Sequence, residues 1–145
     1  MAKNEFSWEF PKTDTDYIYD IMKKFGDQLI DDSDKIFAPL ITIANLPDDS
    51  ITYAFHIIVP ELSGFTLRIF EVNRKMRSRK FEVLFPSMVE GPLPFNGDTE
   101  EKLINIIKNI IKTKEVRNDL GIYYNKVIVK RRQKKDFIQE LPLID

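Results

Sequence analysis

Alternating apolar and polar positions fill the middle of the chain, and successive side chains of a strand point to opposite faces. Over residues 51–59, Ile51, Tyr53, Phe55, Ile57 and Val59 fall on one side, with Thr52, Ala54, His56 and Ile58 on the other. Residues 65–72 alternate likewise, Phe65, Leu67 and Ile69 against Thr66, Arg68, Phe70 and Val72. Residues 81–85 set Phe81, Val83 and Phe85 against Glu82 and Leu84. Aromatic and β-branched side chains dominate all three runs, which suits a pleated, half-buried surface. A further strand is expected over residues 36–43, where Pro39 has no N–H for a ladder and so predicts a sheet edge or a pairing that starts after it. The links between these strands are short, and short links join antiparallel neighbours into a meander.

Helical spacing flanks the strands. Ile18, Ile21, Met22, Phe25 and Leu29 form one stripe and predict a helix over 14–30, capped by Thr13 or Asp14 and weakened slightly at Gly26. Leu103, Ile104, Ile106, Ile107, Ile110 and Ile111 form a broader stripe opposite Lys102, Lys108 and Lys112. Asp98 with Glu101 resembles a capping box at its start. Residues 115–120 fit a short helix or a turn closed by Gly121, and 122–129 have the composition of a strand. Residues 1–12, with Phe6, Trp8 and Phe10, read as an extended lead-in. Residues 86–97, with three prolines, read as an irregular connector, and 136–145 as an apolar tail. The expectation is a single α+β domain over residues 1–145: a helix, a four-stranded antiparallel β-meander, a second packed helix, and a short C-terminal strand or helix with its tail.

Composition changes this picture little. Hydrophobic residues at 43% and charged residues at 31% describe an ordinary globular chain of 145 residues, large enough to bury a core. No apolar run approaches the roughly 20 residues that cross a bilayer, so no membrane role is expected. Cysteine is absent, which removes disulfides and thiolate chemistry and makes a cytoplasmic setting the default expectation. Charge is more informative. Residues 1–65 carry five lysines and no arginine against twelve carboxylates, a balance of −7, whereas residues 66–145 balance at +6. Such a division produces either self-complementarity within the fold or two surfaces of opposite sign.

Candidate binding residues follow from that division. Arg74, Lys75, Arg77, Arg79 and Lys80 crowd one hairpin, and Lys130, Arg131 and Arg132 open a second basic run over 130–135. Asp31, Asp32 and Asp34 gather where the first helix ends, beside the negative end of its dipole, a placement that cation binding or a basic partner would favour. They lack the ligand run, glycine bend and bidentate acid of a calcium loop. His56 is the sole histidine and sits inside a strand with no nucleophile or carboxylate motif around it. No catalytic constellation, cofactor-binding motif or metal-ligand spacing is evident. The expectation is a small non-enzymatic protein-interaction module (adaptor, regulator or inhibitor) acting through a charged surface toward a protein partner. The alternative is a nucleic-acid-binding domain using residues 74–80 and 130–135.

Overall fold

A computed structural model describes residues 16–85 and 95–140, with side chains described as far as 135. The lead-in 1–12 with Trp8, the expected caps Thr13 and Asp14, the connector over 86–94 and the tail over 141–145 lie outside the described residues. Helix α1 (Tyr17–Asp32) comes first, followed by strands β1 (Ala38–Asn45), β2 (Ser50–Val59), β3 (Phe65–Lys75), β4 (Phe81–Leu84) and β5 (Phe95–Gly97). Helices α2 (Glu100–Ile111) and α3 (Lys114–Glu140) complete the α+β chain. The strands form one antiparallel sheet in the order β1-β2-β3-β4-β5. The meander is therefore as expected, with five strands rather than four. β5 has only three residues, too few to express an alternation, and it pairs with β4 just before α2 starts.

The helices cover one face of the sheet. Tyr53, Phe55, Ile57 and Val59 of β2, Phe70 and Val72 of β3, and Phe81 and Val83 of β4 are buried against Ile18, Ile21 and Met22 of α1 and Leu103, Ile107 and Ile110 of α2. Val116 and Val127 of α3 join the same core. Burying side chains of this size contributes about 1.5–3 kcal/mol each, so this layer dominates the stability.

Strict alternation in β3 fails at one point. Phe55 pairs with Phe70, yet His56 pairs with Arg68, which leaves Ile69 as the extra residue of a β-bulge. A bulge changes the parity of the strand. Phe70 and Val72 therefore share the helix-covered face with Leu67 instead of lying opposite it, and Phe70 stacks on Phe55 with ring centres 5.2 Å apart.

Of the strand or helix expected at the C-terminal end, the helix is found, but it is long: residues 114–140 form one continuous helix that runs through Gly121, replaces the strand expected over 122–129 and takes in the first half of the expected tail. Val116, Leu120, Tyr123 and Val127 recur at four-, three- and four-residue intervals and are the positions that meet the core. Ile122 and Val129 give the segment its strand-like composition but project outward. Two further corrections are local. Thr99, not Asp98, caps α2, its side chain accepting from the Lys102 N–H at 3.2 Å. Asp16 caps α1 by accepting from the Tyr19 N–H at 3.2 Å.

Two helical glycines predict opposite outcomes for one substitution. A Cβ at Gly26 would stand 2.7 Å from Cβ and Cγ of Pro39, so the close approach of α1 to β1 requires glycine there. The overpacking cost of about 1–3 kcal/mol exceeds the roughly 1 kcal/mol that alanine returns in helix propensity, so Gly26→Ala destabilises. A Cβ at Gly121 meets nothing within 4 Å. Gly121→Ala therefore stabilises by about 1 kcal/mol. Urea unfolding midpoints that move the same way in both variants would contradict the helix placements.

Candidate interaction surface

The basic hairpin between β3 and β4 is held from two sides. The Met76 N–H donates to the Asp49 carbonyl at 2.9 Å, which ties the hairpin to the β1–β2 turn. That turn is closed by the Leu46 N–H on the Ser50 carbonyl and by Asp48, whose carboxylate accepts from the Ser50 N–H. From the helical side, the Tyr17 hydroxyl donates to the Arg79 carbonyl at 2.7 Å. The Tyr17 ring lies against two guanidinium groups, Arg79 at 5.0 Å and Arg74 at 5.9 Å from its centre.

A chain of polar contacts runs inward from there. Arg74 Nη2 donates to the Tyr53 hydroxyl at 3.2 Å, and that hydroxyl donates to Asp16 Oδ2 at 2.9 Å. Burial, reinforced by the Asp16 carboxylate, pushes the Tyr53 hydroxyl up to about 12. It therefore remains a donor across the physiological range. Arg74 Nε is buried and has no acceptor among the described residues. A buried donor without a partner costs about 1–3 kcal/mol, and it is a feature that calls for an explanation other than stability.

Beside this network the two turns and the start of α2 enclose an open recess of about 760 Å³. Arg74, Lys75, Lys80 and Lys102 supply its cations and Asp48, Glu82 and Asp98 its carboxylates. Lys102 Nζ donates to Asp98 Oδ1 at 2.9 Å, and this bond is the main cause holding the Asp98 carboxyl below its ordinary value, with Lys80 adding to it. None of Arg74, Lys75, Arg77, Arg79 and Lys80 forms a salt bridge with a carboxylate among the described residues. Leu46 at the recess and Met76 at the hairpin are exposed, the latter at 55%.

The second basic run lies at the other end of the sheet. Arg131 Nε donates to Glu61 Oε2 at 2.8 Å, and Lys130 Nζ donates to the Glu61 carbonyl at 2.6 Å, beside the β2–β3 connection. Arg131's hydrogen bond holds the Glu61 carboxyl below its ordinary value, and the charge of Asp34 is among those acting on Arg131. β3 runs its whole length between the two basic clusters, so at roughly 3.3 Å per residue they stand about 30 Å apart. Arg132 is exposed on α3 in the same region.

Asp34 thus acts on the C-terminal basic segment and not on the hairpin, while Asp31 and Asp32 precede it at the end of α1, Asp32 accepting from Gln28. Their own turn is tightly hydrogen-bonded: Ser33 Oγ accepts from the Phe37 N–H, and the Lys35 N–H donates to the Ile30 carbonyl. Asp34 sits at φ 50°, a left-handed conformation that aspartate tolerates better than most residues. Tyr17, Tyr53 and Asp16, which support the hairpin, had no sequence signal, because the contacts span 21 to 62 positions.

His56 lies on the sheet face opposite the helices, with Thr42 Oγ1 3.3 Å from Nε2. Partial burial, and secondarily Arg68, lowers its pKa below the ordinary 6.5. The unfolded chain therefore takes up this proton before the folded one does. Its stabilising effect is complete above pH 6.5 and is lost as pH falls through the lower folded value. His56→Gln flattens that slope, read from urea midpoints at pH 7.5, 6.5 and 5.5. An unchanged slope would exclude His56 as its source.

Among the described residues no three His, Asp or Glu side chains are grouped to hold a metal ion, and no helix is long and apolar enough to cross a membrane. No family model, curated protein or solved structure matches this chain.

Proposed function

We propose that the protein is a small non-enzymatic interaction module, an adaptor, regulator or inhibitor, that recognises an acidic segment of another protein at the hairpin end of its sheet. The observation that carries this reading is the hairpin itself: five cations from Arg74 to Lys80, none with a carboxylate partner among the described residues, anchored on two turns and a helix beside an open recess. Positioning such a tip costs little reorganisation on binding, and charge complementarity supplies both orientation and association rate. Exposed Met76 and Leu46 add apolar contact of the adaptable kind that peptide-binding surfaces use.

Nucleic acid is the second reading, and the same unpaired cations favour it. Two observations weigh toward protein: the hairpin tip has no aromatic ring for base stacking, and the second basic run is too distant to share one short site. Fluorescence anisotropy separates the two. A labelled Glu/Asp-rich peptide with apolar residues interspersed is expected to bind more tightly than single- or double-stranded oligonucleotides of equal charge, with salt weakening every complex. Preferential binding of an oligonucleotide transfers the function to the second reading, and binding of no probe at low salt removes both.

A further inference from the structure

We infer that β1 is a self-association edge, pairing antiparallel with β1 of a second copy to join two sheets into one. Among the described residues β1 has a single neighbour, β2, and its other side is open. From Ile36 to Leu46 the chain carries no charged side chain, and Leu40, Ile43 and Leu46 are 40%, 49% and 44% exposed. Protein edges are ordinarily blunted with lysine or other charges, so a long uncharged edge is a template for another strand.

Hydrogen-bond parity selects the register. In the β1–β2 ladder Leu46 pairs onward with Ser50 and gives its N–H to the Ser50 carbonyl, so even-numbered residues of β1 face β2. The N–H groups of Ile41, Ile43 and Asn45 therefore turn to the open side, and Pro39, which has none, falls on that side too. A two-fold axis at Thr42 uses all of them. Ile41 and the partner's Ile43 exchange hydrogen bonds, and Asn45 donates to the partner's Pro39.

The side chains agree with that axis. Ile41 meets the partner's Ile43 on the helix side, and Leu40 meets the partner's Ala44 on the other, with the two Thr42 side chains adjacent. An isologous contact needs this kind of self-complementarity. The same uncharged run lies on both copies, so self-pairing opposes no like charges along the edge.

Sedimentation velocity over a wide concentration range tests this. Thr42 is exposed, so Thr42→Lys and Thr42→Glu should keep the monomer fold, checked by circular dichroism and thermal unfolding. The wild type is expected to dimerise with rising concentration. Each variant alone places like charges opposite one another and should raise the dissociation constant about tenfold or more. An equimolar mixture of the two should regain association. A wild type that stays monomeric, as it would if the chain's own N-terminal residues or a foreign strand occupied the edge, overturns the inference. So does a dimer that both substitutions leave intact.

Discussion

Phe70→Ala is expected to lower the unfolding free energy by about 3–5 kcal/mol, the loss typical of emptying an aromatic site in a packed core. Phe70 is fully buried, stacks on Phe55 with rings 7° from parallel, and directly follows the bulge that turns it toward the helices. No flexible side chain stands ready to refill the space, because its neighbours in the layer, Tyr53, Val72 and Val83, are themselves fully buried. A domain of this size is commonly stable by about 5–15 kcal/mol, so the variant should lie near the limit of folding at 37 °C. Phe65→Ala, at the end of the same strand where the ring stacks on Tyr123 and is 40% exposed, should cost much less. Equilibrium urea unfolding of both decides the matter. Equal losses would mean that the bulge does not shift the strand's phase as described.

The second large effect concerns binding and leaves stability alone. Lys75, Arg77 and Lys80 are exposed and lie outside the core, so reversing all three to glutamate should move the unfolding midpoint little. The same triple reversal should weaken capture of an acidic peptide about a hundredfold or more, which is about 3 kcal/mol. Reversing Lys130 and Arg132 on α3 serves as the control, since that run lies at the opposite end of the sheet, where Glu61 engages Lys130 and Arg131. Its effect should stay within a few-fold. Arg79 is better left intact, because its guanidinium covers Tyr17. If the α3 reversal weakens binding as much as the hairpin reversal, attraction is a matter of overall charge and the hairpin is not a site.

Much of this fold could be read from periodicity because the chain states it locally. β1 to β4 and the first two helices carry their apolar stripes within windows of four to twelve residues, and of the two alternatives that Pro39 left, β1 is the outer strand among the described residues, with Pro39 already paired to Ile57. The failures have separate physical causes. A bulge is decided by the partner strand, so nothing within 65–72 announced that Ile69 would be skipped. In α3 a β-branched and aromatic composition hid a helical interval, and the core contacts of Val116 and Val127 overrode propensity. β5 owes its existence to pairing with β4 alone.

The candidate site was legible only as composition. The hairpin cations were visible as a cluster, but the structure separates them from the second basic run and sends that run to the acidic turn and Glu61. Part of the −7 and +6 division is therefore consumed inside the fold. The hairpin's position between β3 and β4 depends on the Tyr17 hydroxyl donating to Arg79 and on the Asp49 carbonyl accepting from Met76, contacts that no local pattern encodes.

Backbone amide chemical-shift mapping during titration with an acidic peptide is the most direct examination of where recognition occurs. Shifts should concentrate at residues 46–50, 73–80 and 96–102, with β1 and the 130–135 stretch of α3 quiet. Perturbations centred on α3, or scattered evenly over both ends of the sheet, would contradict a recognition site built on the basic hairpin.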